Sequence, residues 1–345
     1  MITKIGLDLG YANITLSNVT TEVYREPSVA LLDKNTRRII SVGNRAAAYD
    51  ENALNKDGML VRPFKNGLLY SSELTGEIIK HAVSAVNATD KIRCIMASPS
   101  DFIPKQEAEL SKMLRAAGVT ECFFVNPAVA ALIGAGYSPG ISAISVNVGA
   151  AVTEIAVLHK GEIIVSEREL IGGEDFDKAV KQYILDHGDM TVSLLVARTI
   201  KEKLGAVWQG RPSESIDIEG TLSLTGNRVK MNLSTEDVVG VFEQPLKKLL
   251  ETVANAVKKI PIDRVKDIFE NGIVLTGGCA EIFGLDMMMS RVFGISVTKP
   301  TAPIDCVSKG LSRINTFLPV KNHSNGKNIT EQLGKFYENK KQNKK

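Results

Sequence analysis

Two short stretches of this sequence end an apolar run with an acidic or amide residue and follow it with glycine. The first is Lys4-Ile5-Gly6-Leu7-Asp8-Leu9-Gly10 and the second Ala143-Ile144-Ser145-Val146-Asn147-Val148-Gly149. A carboxylate at a strand end can hold the hydration shell of Mg2+, which keeps several waters and prefers octahedral geometry. A following glycine lets the backbone bend close to a ligand, and the turn presents successive N–H groups to anionic oxygens. The chemistry is that of a clamp on a polyphosphate. Asp8 would hold a metal through water, and the turns at Gly10 and Gly149 would present N–H groups to phosphate. Plain β-hairpin turns account for most isolated Asp-x-Gly strings, so the pairing carries the signal. A third stretch, Gly272-Ile273-Val274-Leu275-Thr276-Gly277-Gly278-Cys279-Ala280, runs a buried strand into a Gly-Gly turn. Such a turn lets the backbone pass close to a flat adenine or ribose, although a simple strand–helix turn is the better explanation when it stands alone.

Strands must position these turns. Apolar alternation before Gly10 resumes at Ile14-Thr15-Leu16, which reads as strand, tight turn, strand. The device recurs around Gly149, with Thr153-Glu154-Ile155-Ala156-Val157-Leu158 as its second strand and Glu162-Ile163-Ile164-Val165 as a third. Repetition at this range marks a duplicated domain. Helical spacing of apolar residues predicts helices over 73–86, over 105–117 between Pro104 and Gly118, over 127–135, and over 176–184. A long amphipathic run over 235–259 follows Ser234, a cap with Asp237 three residues on. Two inserts, 26–69 and 183–232, break the rhythm with short β-like pieces, the second holding an alternating hairpin over 216–231. Strands alternating with helices imply an α/β fold with largely covered sheets.

A chain of 345 residues exceeds the length of about 250–300 at which one hydrophobic core stops growing, so two lobes are expected. No apolar run approaches the length needed to span a bilayer, and the opening residues show no signal-peptide pattern. Cys94, Cys122, Cys279 and Cys306 are scattered without a Cys-x-x-Cys, which reads as reduced thiols in a reducing compartment. A net charge of +3 argues against a nucleic-acid partner. Residues 321–345 are rich in Lys and Asn and poor in apolar residues, the composition of a disordered basic tail. Within it Leu333, Phe336 and Tyr337 form a short amphipathic patch suited to an anionic membrane surface. None of His81, His159, His187 and His323 has a partner at catalytic spacing.

Together these motifs resemble the actin, heat-shock chaperone and sugar-kinase ATPase superfamily, and within it the bacterial MreB actins. Asp8-Leu9-Gly10-Tyr11-Ala12-Asn13 is similar to the first phosphate loop, Glu26-Pro27-Ser28-Val29 to the opening of the first small subdomain, and 126–136 to the connecting helix. Gly272 to Ala280 resembles the adenosine loop, Cys306-Val307-Ser308-Lys309-Gly310 the last connecting element, and Ile200-Lys201-Glu202-Lys203-Leu204 the helix whose polar side chains meet ribose and adenine. The match runs over about 5–317. It implies a duplicated actin-like (ribonuclease H-like) α/β fold of two lobes, each of two subdomains, with a nucleotide cleft between them. The expected divisions are 1–26 with 70–140 and 309–320, then 27–69, then 141–182 with 233–308, then 183–232, with 321–345 as the tail. It also implies ATP or ADP with Mg2+ as cofactors, with Lys201, Glu202, Gly277, Gly278 and Cys279 on the adenosine side.

The sequence departs from the family where hydrolysis takes place. The position that orients the attacking water is Asn126, an amide that cannot take a proton. Asn147 replaces the usual Asp, Val152 replaces a hydroxyl residue, and Ala150 and Ala151 replace glycines. Loss of a water-positioning group costs on the order of 10²–10⁴ in rate, so slow or absent hydrolysis is expected while nucleotide binding persists. Tyr11 stands where MreB proteins have Thr. The resemblance thus implies a filament-forming cytoskeletal protein of cell shape, self-associating or co-assembling with MreB paralogues, in the cytoplasm or at the inner face of the membrane. An active ATPase of the same fold, or a non-polymerising adaptor for other cytoskeletal or division proteins, remain the alternatives.

Overall fold

In the computed structural model the apolar run that opens the sequence is strand β1 (Ile2–Leu9), covered on both faces at Ile5, Gly6 and Leu7 because it lies inside a sheet. The structure describes residues 2–18, 22–49, 57–65, 68–86, 88, 91–318 and 326–342. Those within 1–142, 158–163 and 305–345 form one unit and those within 143–157 and 164–304 the other.

In the first unit β1 is followed by β2 (Asn13–Ser17), β3 (Glu22–Pro27), β4 (Ala30–Asp33), β5 (Ile39–Val42), α1 (Asn44–Ala47) and β6 (Gly58–Val61). Then come β7 (Phe64–Lys65), β8 (Leu68–Leu69), α2 (Ser72–Ser84), β9 (Lys91–Ala97), α3 (Pro104–Ala116), β10 (Val119–Val125) and α4 (Pro127–Gly134). The strands β10-β9-β1-β2-β3 form the main sheet, with β1 parallel to β9 and antiparallel to β2. Ile5, Leu7, Ile14 and Leu16 of the β1–β2 hairpin pack against Ile78 and Ile79 of α2 and Leu114 of α3, all essentially solvent-free. Within the first insert β5-β4-β6 make a separate small sheet.

The second unit repeats the device with β11 (Ala143–Val148), β12 (Thr153–His159), β13 (Glu162–Glu169) and α5 (Gly173–Gly188). Its insert holds β14 (Met190–Thr191), α6 (Leu194–Leu204), β15 (Ser215–Leu222) and β16 (Arg228–Ser234). The chain continues through α7 (Thr235–Val238), α8 (Glu243–Lys258), α9 (Val265–Asn271), β17 (Ile273–Thr276), α10 (Leu285–Phe293) and β18 (Val297–Thr298). The main sheet here runs β13-β12-β11-β17-β18, with β11 and β17 parallel. Phe176 of α5 meets Phe242 edge-to-face at 5.2 Å in the core. The expected single helix over 235–259 is two helices. Ser234 and Asp237 do form the capping box, but Val239 is extended and Gly240 takes φ +91, which ends α7 and resets the axis before α8.

The expected disordered tail is a correction over its described part. After α11 (Cys306–Phe317), residues 326–342 fold back on the first unit as β19 (Lys327–Asn328) and α12 (Leu333–Gln342). β19 pairs in parallel with β10 and extends the sheet by one strand. Leu333 is 1% exposed and Phe336 9%, and Tyr337 packs edge-to-face on Phe317 at 5.5 Å. The patch read as a membrane face is therefore spent on the protein's own core, because its spacing fits a buried helix face equally well. Residues 321–325 and 343–345 of that tail lie outside the described residues. Among the described residues no helix is long and apolar enough to cross a membrane.

Candidate functional site

In the first unit the Gly10 N–H donates to the Asn13 carbonyl at 3.0 Å, closing a turn at the end of the β1–β2 ladder, where Asp8 lies opposite Thr15 and Leu9 opposite Ile14. A Cβ on Gly10 would come 2.9 Å from that carbonyl, so the tight closure needs glycine. Two donors from the insert then draw off the turn's carbonyls. The Ser28 N–H donates to the Ala12 carbonyl at 2.9 Å, and Arg62 Nη1 donates to the Tyr11 carbonyl at 3.0 Å. The Arg62 guanidinium also lies 5.1 Å from the centre of the Tyr11 ring. Peptide planes here are trans, so each N–H points opposite its carbonyl. The N–H groups of Ala12 and Asn13 therefore face away from those donors, a disposition that suits an anion. Burial pushes the Asp8 carboxyl up to about 6, an effect that the charge of Arg25 partly opposes. A cation beside Asp8 would favour its ionised form.

The second unit closes its turn in the same way, the Gly149 N–H donating to the Val152 carbonyl at 2.9 Å. A Cβ on Gly149 would meet that carbonyl at 3.0 Å, the same contact as at Gly10. Here the donors come from the start of α5: the Gly173 N–H bonds the Gly149 carbonyl at 3.0 Å and the Glu174 N–H the Ala150 carbonyl at 2.7 Å. The N–H groups of Ala150 and Ala151 consequently face the opposite way. Thr153 Oγ1 donates to the Ile171 carbonyl at 2.8 Å and steadies the approach to α5.

Lys201 is buried, and its Nζ lies 2.7 Å from Asp177 Oδ1 while donating to the Gly173 carbonyl at 3.0 Å. It thus braces the α5 residues that hold the second turn, whereas its neighbour Glu202 is exposed. Gly277, Gly278 and Cys279 follow β17, whose Thr276 lies opposite Asn147 of β11. The Thr276 hydroxyl donates to Asn147 Oδ1 at 3.3 Å, and Cys279 Sγ donates to the Gly149 carbonyl at 3.4 Å. Gly277 has φ +86, and a Cβ there would fall 2.3 Å from the Val148 carbonyl. The second unit therefore gathers Asn147, Gly149, Ala150, Ala151, Lys201, Gly277 and Cys279 in one neighbourhood. Burial pushes the Cys279 thiol up to about 11, with Lys201 lowering it only in part, so it is not a nucleophile at neutral pH.

Asn126 sits between β10 and α4, 6% exposed. Its Oδ1 accepts from the Ala128 and Val129 N–H groups at 2.9 and 3.2 Å, capping α4. Its own N–H donates to Thr330 Oγ1 at 2.9 Å. Thr330 in turn bonds Asn328 Oδ1, through its hydroxyl at 2.6 Å, and Asn328 Nδ2 donates to Glu107 Oε1 at 2.9 Å. The same Glu107 oxygen accepts from Ser98 Oγ at 2.9 Å. Thr330 and Asn328 carry no signal in the sequence, because their Lys- and Asn-rich surroundings hide a strand of two residues. Arg62 and Ser28 were marked by no local pattern that ties them to the turn. Among the described residues no group of three His, Cys, Asp or Glu stands close enough to ligate a metal. A lone half-buried carboxylate fits Mg2+ that keeps its waters and takes other ligands from phosphate.

A family model described as MreB/Mbl protein matches residues 2–322. The cell shape-determining protein Mbl of Bacillus subtilis (strain 168) is 26% identical over 314 residues, covering 89% of this chain and 93% of that protein. The cell shape-determining protein MreB of Escherichia coli (strain K12) is 26% identical over 318 residues, covering 89% and 91%. Among solved structures, MreB5 of Spiroplasma citri bound to ADP superposes with a TM-score of 0.86 at 23% identity, covering 92% of this chain and 97% of that one. A MamK double helical filament superposes with a TM-score of 0.77 at 23% identity, covering 92% and 100%.

Proposed function

The chain belongs to the MreB/Mbl family, and on that premise we propose that it is an actin-like cytoskeletal protein that binds ATP or ADP with Mg2+, assembles with copies of itself into filaments and takes part in setting cell shape. The relatives Mbl and MreB are named as cell shape-determining proteins, and the fold neighbours include an ADP complex and a filament. One observation carries the nucleotide reading. Both units end a strand in a glycine-closed turn whose carbonyls are taken up by donors from elsewhere, which leaves peptide N–H groups oriented for phosphate oxygens.

In this reading the first unit contributes Asp8, Gly10, Tyr11, Ala12 and Asn13, and the second contributes Asn147, Gly149, Ala150 and Ala151. Gly277, Gly278 and Cys279, with Lys201 and Glu202, serve the adenosine end. Asp8 would hold Mg2+ through water, and the metal supplies charge neutralisation to the phosphates. Hydrolysis is slow. The Asn126 oxygen is engaged by α4, Val152 brings no hydroxyl, and Asn147 adds no charge. Co-assembly with an MreB paralogue would then supply faster turnover.

Sedimentation with ATP and with a non-hydrolysable analogue tests the proposal, and polymer is expected in the pellet with both. No polymer with either would overturn filament formation. Phosphate release as fast as that of MreB proteins bearing the family's usual acid would overturn slow hydrolysis.

A further inference from the structure

We propose that Arg62 is the positioning residue of the first phosphate turn, setting it for the polyphosphate end of a nucleotide; this rests on the nucleotide reading given above. Arg62 follows β6 in the first insert, 51 positions from the turn it serves. It makes two contacts there at once. Nη1 donates to the Tyr11 carbonyl at 3.0 Å, and the guanidinium lies 5.1 Å from the Tyr11 ring centre. The first contact fixes the peptide between Tyr11 and Ala12, so the Ala12 N–H is aimed the opposite way. A donor with full charge also polarises that peptide and strengthens the N–H on its far side. The second contact holds the Tyr11 ring against a cation, at the one turn position that carries a large side chain where the family has Thr.

The two turns show why a dedicated residue is needed. In the second unit, helix α5 supplies the donors, and its N–H groups are rigid parts of a regular element. In the first unit no helix start fills that role. Ser28 secures the Ala12 carbonyl and Arg62 the Tyr11 carbonyl, both from the insert. The β1–β2 hairpin does not depend on Arg62, because its ladder and the solvent-free Ile5, Leu7, Ile14 and Leu16 hold it. Substitution should therefore misalign the turn without unfolding the unit.

The test compares wild type, Arg62→Lys and Arg62→Gln by titration calorimetry with Mg-ATP, Mg-ADP and AMP, alongside thermal unfolding without nucleotide. Hydrogen bonds to charged groups contribute enough for a change of about ten-fold or more in affinity. Mg-ATP is expected to bind about ten-fold more weakly to Arg62→Gln, and Arg62→Lys to be weakened too, since lysine lacks the planar fork that spans carbonyl and ring. AMP affinity and melting temperature should stay at wild-type values. Arg62→Gln binding Mg-ATP within two-fold of wild type overturns the assignment, as does Arg62→Lys matching wild type or AMP weakening in step with Mg-ATP. Wild type that fails to bind Mg-ATP overturns the nucleotide reading itself, a result distinct from variants that bind as the wild type does.

Discussion

Replacing Asn126 by alanine removes the acceptor of two α4 N–H groups, those of Ala128 and Val129. Loss of an Asn cap costs about 0.5–2 kcal/mol. Asn126 is 6% exposed, so water cannot easily take the place of its oxygen, and the cost belongs at the upper end, about 2 kcal/mol. For domains of this size about 1 kcal/mol moves the melting temperature by about 2–4 °C, so a fall of about 4–8 °C is expected. Asn126→Asp keeps a short acceptor and adds negative charge where the helix dipole favours it, and should melt at or above the wild type. Asn126→Glu restores the family's acid but lengthens the side chain by one methylene, which suits the helix start poorly. It should melt lower, as the alanine variant does, yet release phosphate faster than wild type. Calorimetric melting of the nucleotide-free proteins, with phosphate release on the same preparations, reads all three. An alanine variant that melts with the wild type would refute the capping role, and a glutamate variant no faster than wild type would refute Asn126 as the weakened position.

Without nucleotide, the stability that Asp8 contributes should fall as pH rises from about 4 to about 6. The folded state holds the Asp8 proton up to about 6, whereas the unfolded chain releases it near 3.8, so the favourable contribution is complete below that range and lost across it; denaturant titrations should show the wild type losing stability relative to Asp8→Asn across that range. Thr330→Val leaves the buried Asn126 N–H unpaired and should cost about 1–3 kcal/mol in the same titrations, with Thr330→Ser close to wild type. Asp177→Ala leaves the buried ammonium of Lys201 without its carboxylate and should cost about 3–5 kcal/mol, seen as a large drop in melting temperature.

Much of this was legible because the relevant signals are local. The glycine turns at 10 and 149, the alternation on either side of them and the Ser234–Asp237 cap each lie within a few residues. What escaped was partner choice across sequence. Arg62 reaches a carbonyl 51 residues away and Thr330 an amide 204 residues away. The ammonium of Lys201 pairs with Asp177 and bonds the Gly173 carbonyl, contacts that no spacing rule announces. Composition describes an average and hides the helix in the Lys-rich end, where Leu333 and Phe336 suffice to dock it. The break at Val239-Gly240 is hidden in the pattern, because the apolar period continues through it and only the backbone departs.

The strand at Lys327–Asn328 occupies the outer margin of the first unit's sheet. Clipped or prematurely terminated protein that ends near residue 320 would present β10 with a bare row of amides and carbonyls, which recruits strands from other molecules. Such material would sediment as clumps whether or not ATP is added, so intact mass must be verified before any pellet is scored as polymer.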